Sequence, residues 1–369
     1  MNTGNMDRMM TQQPGPIVLM GSGETAPNMQ KVYHWLFQQI EQPPRVAILE
    51  TPAGFEVNSQ HVANQIGAYL QHRLQNFDPQ VTIVPVRKRG TPFSPDDPAL
   101  LEPLYSANVI MMGPGSPSYA VRQLHDSVAW HTLRACHQRG AALVFASAAT
   151  LAVSAQTLPV YEIYKVGEDL HWKAGLNLLA DFGLSVVFVS HWNNRDGGEV
   201  VDTSRCYMGQ KRFAEMLRVL PGHLDEHTIV GIDEKTALII DLVRAECSVL
   251  GAGEVTIIRC GCTQVFSNRA VFDLHELGKI QLSISTDIPA DVWQRVDHAQ
   301  RTRSASLSAT VQPPDAVLSL VAQRQSARAN KEWATSDELR SRIAQLGWRV
   351  LDTAQGALVE AIDSQENQT

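Results

Sequence analysis

Ala142-Leu-Val-Phe-Ala-Ser-Ala-Ala-Thr150 runs from a short apolar strand directly into a string of small residues. The apolar run Ala142 to Phe145 suits a buried strand, and the residues after Ser147 suit the start of a helix. A serine at that junction stands where a nucleophile elbow would stand, in a strained backbone that small neighbours two positions away relieve. Ala149 meets that need and Phe145 does not, so the stretch also reads as an ordinary serine packed at a helix start.

Working outward, the same kind of run occurs at Pro16-Ile-Val-Leu-Met20, Arg45-Val-Ala-Ile-Leu49, Val81-Thr-Ile-Val-Pro85 and Asn108-Val-Ile-Met-Met112. Helix-like segments, among them Met29 to Gln42 and Ser59 to Asn76, separate these runs. The alternation predicts right-handed crossovers and an α/β fold with a doubly wound, mainly parallel sheet. Further strands are expected at Leu184 to Ser190, Ile229 to Ile232, Thr236 to Asp241 and Glu254 to Arg259, whose closer spacing predicts a partly antiparallel finish. Residues 1–15 read as a disordered lead-in and 16–300 as the α/β domain. The stretch 301–314, small, polar and ending in two prolines, reads as a linker. Residues 315–362 then form a small helical-hairpin module, with 363–369 as a tail. In that module Asp315 to Lys331 and Trp333 to Leu346 are expected helices, the second burying Leu339, Ile343 and Leu346 and stopping at Gly347. Two short strands, Trp348 to Leu351 and Ala357 to Val359, are expected to follow.

The chain's 369 residues are 44% hydrophobic, ample for a large core, and its formal charge of -7 gives no global basic field. Contact with nucleic acid would therefore rest on a local patch. Five scattered cysteines are an odd number and unlike a secreted disulfide framework, which favours a reduced, cytoplasmic setting. No run has the length of a membrane span, and the start lacks the apolar stretch of a signal peptide. Cys260-Gly-Cys262 is too tight for a zinc pair and the histidines lack H-E-x-x-H spacing, so neither metal nor cofactor is expected.

Ligands of open α/β sheets sit beyond the carboxyl ends of the strands, which directs attention to the loops after the apolar runs. Gly21-Ser-Gly-Glu24 lacks the spacing of a dinucleotide fingerprint and the lysine of a P-loop, and reads as a tight turn. Gly113-Pro-Gly-Ser-Pro-Ser-Tyr119 is either a rigid strand-to-helix turn or a loop that aims N–H groups at a substrate oxygen. In Ser190-His-Trp-Asn-Asn-Arg195, His191 is placed as a general base, or is one structural histidine among twelve. Gly231-Ile-Asp-Glu-Lys-Thr-Ala237 adds carboxylates at a strand-to-strand turn, one of which could orient an imidazole.

In this order the loops resemble those of the cyanophycinase and dipeptidase E peptidases, serine hydrolases on the class-I glutamine-amidotransferase-like fold, over roughly Ile17 to Leu277. Gly21 to Glu24 is similar to the family's opening turn, and Gly113 to Tyr119 to its glycine-rich loop. Gly140 to Thr150 resembles its elbow, His191 its histidine segment, and Gly231-Ile-Asp-Glu-Lys-Thr-Ala-Leu238 its most specific motif. The resemblance implies Ser147 as nucleophile, His191 as base and Glu234 as the orienting acid. Gly113, Gly115 and Ala148 would supply oxyanion or substrate contacts. The implied substrate is a peptide or small amide. The segment Arg195 to Arg205 replaces the arginine-rich helix start of the family, so a preference for acidic peptides is not implied. Pro159 to Trp172 is unusually aromatic and charged for an insertion, a candidate cover for the pocket.

Val317 to Val359, with Arg324-Gln-Ser-Ala-Arg328 and Asp352-Thr-Ala-Gln-Gly356, resembles the C-terminal module of cysteinyl-tRNA synthetases. This implies tRNA contact, with Arg324, Arg328, Lys331, Arg340 and Arg342 as phosphate ligands. The same cations at helical spacing could instead pair with Glu332, Asp337 and Glu338 on a solvated face. Two functions are thus expected: a serine hydrolase, or a catalytically inactive amidotransferase-like binding protein with an RNA-contacting module.

Overall fold

The computed structural model describes residues 13–41, 43–281, 287–308, 313–353 and 356–361. The expected lead-in, up to residue 12, and the expected tail lie outside them. The chain divides into two units, Met1–Ala299 and Gln300–Thr369.

In the first unit, β1 (Ile17–Met20), β2 (Arg45–Leu49), β3 (Gln80–Val84), β4 (Val109–Met112) and β5 (Ala142–Ala146) pair in parallel in the order β1-β5-β4-β2-β3. β1, β4 and β5 are buried at every position, as strands covered on both faces must be, and this is why their sequences are unbroken apolar runs. The helices between them are α1 (Gln30–Gln39), α2 (Ser59–Arg73), α3 (Glu102–Ser106), α4 (Pro117–Leu124) and α5 (Val128–Gln138). Alternate strand residues feed two separate cores: Leu19, Ile110 and Phe145 on one face, Val18, Met111 and Val144 on the other. In register, Met20 lies opposite Ala146, and Met112 opposite Phe145, so the loops after β1, β4 and β5 open side by side.

After α6 (Ala148–Ala152) come a two-stranded ribbon, β6 (Gln156–Thr157) with β7 (Lys173–Ala174), then β8 (Val186–Val189) and α7 (Gly209–Arg218). β9 (Thr228–Ile232), β10 (Thr236–Asp241), β11 (Glu246–Gly251), β12 (Glu254–Arg259), β13 (Cys262–Ser267) and β14 (Val271–Asp273) complete two sheets. β10, β11 and β14 extend the large sheet beyond β1, each pairing antiparallel to its neighbour, whereas β13, β12, β9 and β8 form a second sheet of four strands. β11, β13 and β14 escape the sequence pattern because none is a continuous apolar run; β11 alternates in burial and β13 is almost wholly exposed. Cys260 (φ 48°) and Gly261 (φ 74°) are the two left-handed residues of the β12–β13 hairpin turn, which accounts for the Cys-Gly-Cys spacing.

The expected linker is corrected: α8 (Ala290–Ser308) continues through its first eight residues. Arg, Ala and Leu are good helix formers and Ser and Thr only modestly poorer, so residues 301–308 contain no helix breaker. In the second unit α9 (Asp315–Ala329) and α10 (Trp333–Gln345) pack together and lead into an antiparallel pair, β15 (Trp348–Thr353) and β16 (Gly356–Ala361). Val317, Val321, Ile343, Trp348 and Val350 form its core. Leu346, expected inside, is 52% exposed, because it falls past the last turn of α10 and the chain reverses at Gly347 (φ 82°). Among the described residues no helix is long and apolar enough to cross a membrane.

Candidate active site

Ser147 follows β5 directly and holds φ 54°, ψ -109°, a conformation that L residues adopt only when the surroundings enforce it. The enforcement comes from β1. Met20 O accepts the Ser147 N–H at 3.1 Å, while the Thr150 hydroxyl lies 2.8 Å from Met20 O and 2.9 Å from Phe145 O. The elbow forms despite Phe145, whose side chain is wholly buried in the same apolar core as Ala149.

His191 lies just past β8, also left-handed at φ 49°, with its N–H on Gly21 O at 3.2 Å. The next residue anchors the loop. Trp192 donates its N–H to Ile232 O at 3.1 Å, and the Arg205 guanidinium lies 3.8 Å from the centre of its indole. The ring also lies flat against Gly231, where a β-carbon would come within 2.2 Å of it. The glycine that opens the Gly231 to Leu238 motif is therefore there to admit a tryptophan.

Glu234 sits in the turn joining β9 to β10. His191 Nδ1 is 2.8 Å from Glu234 Oε1, and Ser147 Oγ is 2.9 Å from His191 Nε2. With Nδ1–H donating to the carboxylate, Nε2 is left to accept the serine proton. The hydrogen bond from His191 holds the Glu234 carboxyl below the usual glutamate range, against the opposing effect of burial and with help from Asn194, whose amide donates to the same oxygen at 2.8 Å. Asp233 is turned elsewhere: its carboxylate accepts the Glu254 N–H at 3.0 Å, and burial pushes its pKa up. Of the two carboxylates in this turn, Glu234 is thus the one that reaches the imidazole.

The Gly113 to Gly115 loop leaves β4 beside the elbow. At Gly115 (φ 144°) a β-carbon would lie 2.0 Å from Pro52 O, and the next N–H, of Ser116, bonds that same carbonyl at 2.8 Å. Ser116 then caps α4 by accepting the Tyr119 N–H. Both contacts pin the end of the loop to Pro52, the kind of fixed backbone that an oxyanion site needs. Ala148 opens α6, so its N–H is one of those at a helix start without an intrahelical partner. Gly21 to Glu24 proves to be a brace, with Gly21 O holding His191 and Ser22 Oγ accepting the Lys235 N–H at 3.3 Å.

Three neighbours had no place in the sequence reading of the site. Asn194, 2% exposed, steadies Glu234; its signal was a pair of amides just past a strand-end histidine. The Tyr207 ring lies 6.0 Å from that of His191, and its hydroxyl donates to Asp196 at 2.6 Å. Tyr207 gets there through three successive left-handed residues, Arg205 to Tyr207, and nothing in composition announces that turn. Burial pushes the Cys206 thiol up to about 12, which removes it as a competing nucleophile. A cavity of about 650 Å³ is lined by Ser116 and Ser118 of the α4 start together with Tyr161 and Glu162 of the insertion.

In the second unit Arg324 is only 2% exposed, which removes it from the expected phosphate ligands: it occupies the inward face of α9, along with Val317 and Val321. Arg328, Lys331, Arg340 and Arg342 are exposed. Among the described residues no group of three or more His, Cys, Asp or Glu side chains could hold a metal.

No curated protein sequence matches the chain significantly. Residues 312–357 match the family model described as the cysteinyl-tRNA ligase anticodon binding domain. Among solved structures, a putative peptidase E protein from Listeria monocytogenes EGD-e aligns with 67% of this chain and 98% of its own, at 16% identity and a TM-score of 0.41. A peptidase from an acI-B1 Actinobacterium aligns with 72% of this chain and 99% of its own, at 22% identity and a TM-score of 0.57. The chain therefore shares the α/β fold of that actinobacterial protein, and joins to it a segment similar to a cysteinyl-tRNA ligase anticodon binding domain.

Proposed function

We propose that the chain is a serine hydrolase acting on a peptide or amide bond. The observation that carries this reading is the continuous relay from Ser147 Oγ to His191 Nε2 at 2.9 Å and from His191 Nδ1 to Glu234 at 2.8 Å, with the serine on a left-handed elbow. His191 takes the hydroxyl proton as Ser147 attacks the carbonyl, Glu234 stabilises the imidazolium, and His191 returns the proton to the leaving amine. Water then cleaves the acyl-serine ester with His191 again as base. The N–H of Ala148 and those of the Gly113 to Gly115 loop are assigned to the oxyanion. The description of the actinobacterial structure as a peptidase agrees with this reading. A fluorophosphonate probe tests it: the folded protein should be labelled at Ser147, and labelling should vanish in Ser147→Ala and fall steeply in His191→Ala. An unmodified Ser147, beside a known serine hydrolase labelled in parallel, refutes it.

A second activity is proposed for residues 312–357 on the strength of their family match: contact with tRNA through Arg328, Lys331, Arg340 and Arg342. Filter binding of bulk tRNA should weaken steeply as salt rises, since phosphate contacts release counterions. Absence of binding at low salt refutes this reading.

A further inference from the structure

Resting on the reading of Ser147 as a nucleophile, we infer that the cavity lined by the first turn of α4 and by the aromatic insertion selects substrates carrying a bulky apolar or aromatic side chain next to the attacked bond, in preference to acidic or basic ones. Two segments link the cavity to the proposed site. α4 begins directly after the Gly113 to Gly115 loop, and Ser116, Ser118 and Tyr119 of its first turn line the cavity. The aromatic insertion singled out in the sequence also lines it, through Tyr161, Glu162 and Val166. From that insertion the Tyr164 ring reaches to 5.1 Å from Tyr207, which in turn lies 6.0 Å from His191.

The chemistry of the lining decides the preference. Phe55, Tyr161 and Val166 are 51%, 40% and 73% exposed, large apolar groups held open to solvent around a concave site, and the Phe55 ring lies 5.1 Å from that of Tyr119. The charged lining residues, Glu56 and Glu162 against Arg122 and Lys173, sum to zero. Lys173 is already engaged with Glu162 at 2.9 Å, Ser118 donates to the same carboxylate, and Arg122 lies 5.1 Å from the centre of the Tyr119 ring. Burial alone would raise the Glu162 pKa, but these two bonds outweigh it and keep the carboxyl ionised and paired. A charged side chain entering here would be desolvated with no net opposite charge to meet it, whereas an apolar one covers surface that now faces water. At about 650 Å³ the space falls within the roughly 300–1,000 Å³ of small-molecule pockets and admits a dipeptide.

The test is a dipeptide panel with Phe, Leu, Gly, Asp or Lys placed at each position in turn, read as kcat/KM in wild-type and Tyr161→Ala protein. Calorimetry of the same peptides with Ser147→Ala protein accompanies it. Phe and Leu peptides should exceed the Gly, Asp and Lys ones by at least about tenfold, the scale of hydrophobic-pocket discrimination. Tyr161→Ala should shrink that ratio through KM. Cleavage with Asp or Lys peptides equal to or better than Phe, or a ratio unmoved by Tyr161→Ala, overturns the inference and leaves the hydrolase reading standing. If nothing is cleaved but Phe peptides bind Ser147→Ala protein selectively, the pocket assignment survives and the hydrolase reading falls. With neither cleavage nor selective binding, the pocket assignment is overturned as well.

Discussion

Replacing Glu234 by glutamine removes one charge from the relay while keeping an oxygen where Oε1 now accepts from His191 and Asn194, each at 2.8 Å. When His191 takes the serine proton, its positive charge faces the carboxylate at a separation of about 4 Å, an attraction of about 1 kcal/mol in bulk water and about 4 kcal/mol at an effective dielectric of 20. The imidazole and carboxylate side chains are 20% and 30% exposed, an intermediate setting, so about 2–3 kcal/mol is expected. At 1.36 kcal/mol per decade this is roughly a 30- to 150-fold loss of rate. A second effect adds to it. If the amide NH2 turns toward Nδ1, the imidazole must carry its proton on Nε2 and can no longer accept from Ser147, the kind of tautomer error that lowers such relays by about 10⁴. The expected fall in the rate of Ser147 phosphonylation therefore lies between about 30-fold and 10⁴-fold, measured by stopped-time fluorophosphonate labelling on protein whose circular dichroism is unchanged. The carboxyl is held below its ordinary 4.5, so it is ionised at and above that value, and the difference between wild type and variant should close only as pH falls through the lower folded value. A change smaller than threefold at neutral pH would refute the assignment of Glu234 as the orienting acid.

Gly231→Ala drives a β-carbon to 2.2 Å from the Trp192 indole, so an overpacking loss of about 1–3 kcal/mol in denaturant unfolding is expected, with activity falling further because Trp192 carries His191. Thr150→Val removes the hydroxyl 2.8 Å from Met20 O and 2.9 Å from Phe145 O, and should lower stability by about 1–3 kcal/mol while slowing probe labelling of the loosened elbow. Arg134→Met strands Asp181, whose side chain is 7% exposed, and should lower stability by about 3–5 kcal/mol by thermal melting. The hydrogen bond to Arg134 also depresses the Asp287 carboxyl, so this partner stabilises above the ordinary 3.8 and ceases to as pH falls through its folded value. The gap between wild type and Arg134→Met should narrow in acid; a gap independent of pH would count against the ion pair.

The central strands were legible because burial on both faces demands unbroken apolar runs, and β1, β4 and β5 obey. Edge strands carry no such demand, which is why β13 left no signal. Composition misled at residues 301–308, where polar small residues without a breaker continue a helix. Periodicity misled at Arg324, which shares helical spacing with exposed cations yet faces the module's interior. At the site, Ser147 and His191 stood out as candidates because each follows a strand end, positions that topology brings together, whereas the choice of Glu234 over Asp233 came with the family resemblance. Asn194 and Tyr207 reach the same place through irregular backbone, and no period predicts where such side chains point.

The relay also spans a structural seam. Ser147 ends a strand of the eight-stranded sheet, His191 follows a strand of the four-stranded sheet, and Glu234 lies on the turn where the chain passes from one to the other. Neither sheet alone holds all three residues of the proposed relay. The 2.9 Å gap between serine and imidazole measures how the two sheets are set against each other. A slip of an ångström between them would silence the chemistry with every strand still paired, so heating should extinguish activity before it melts the sheets.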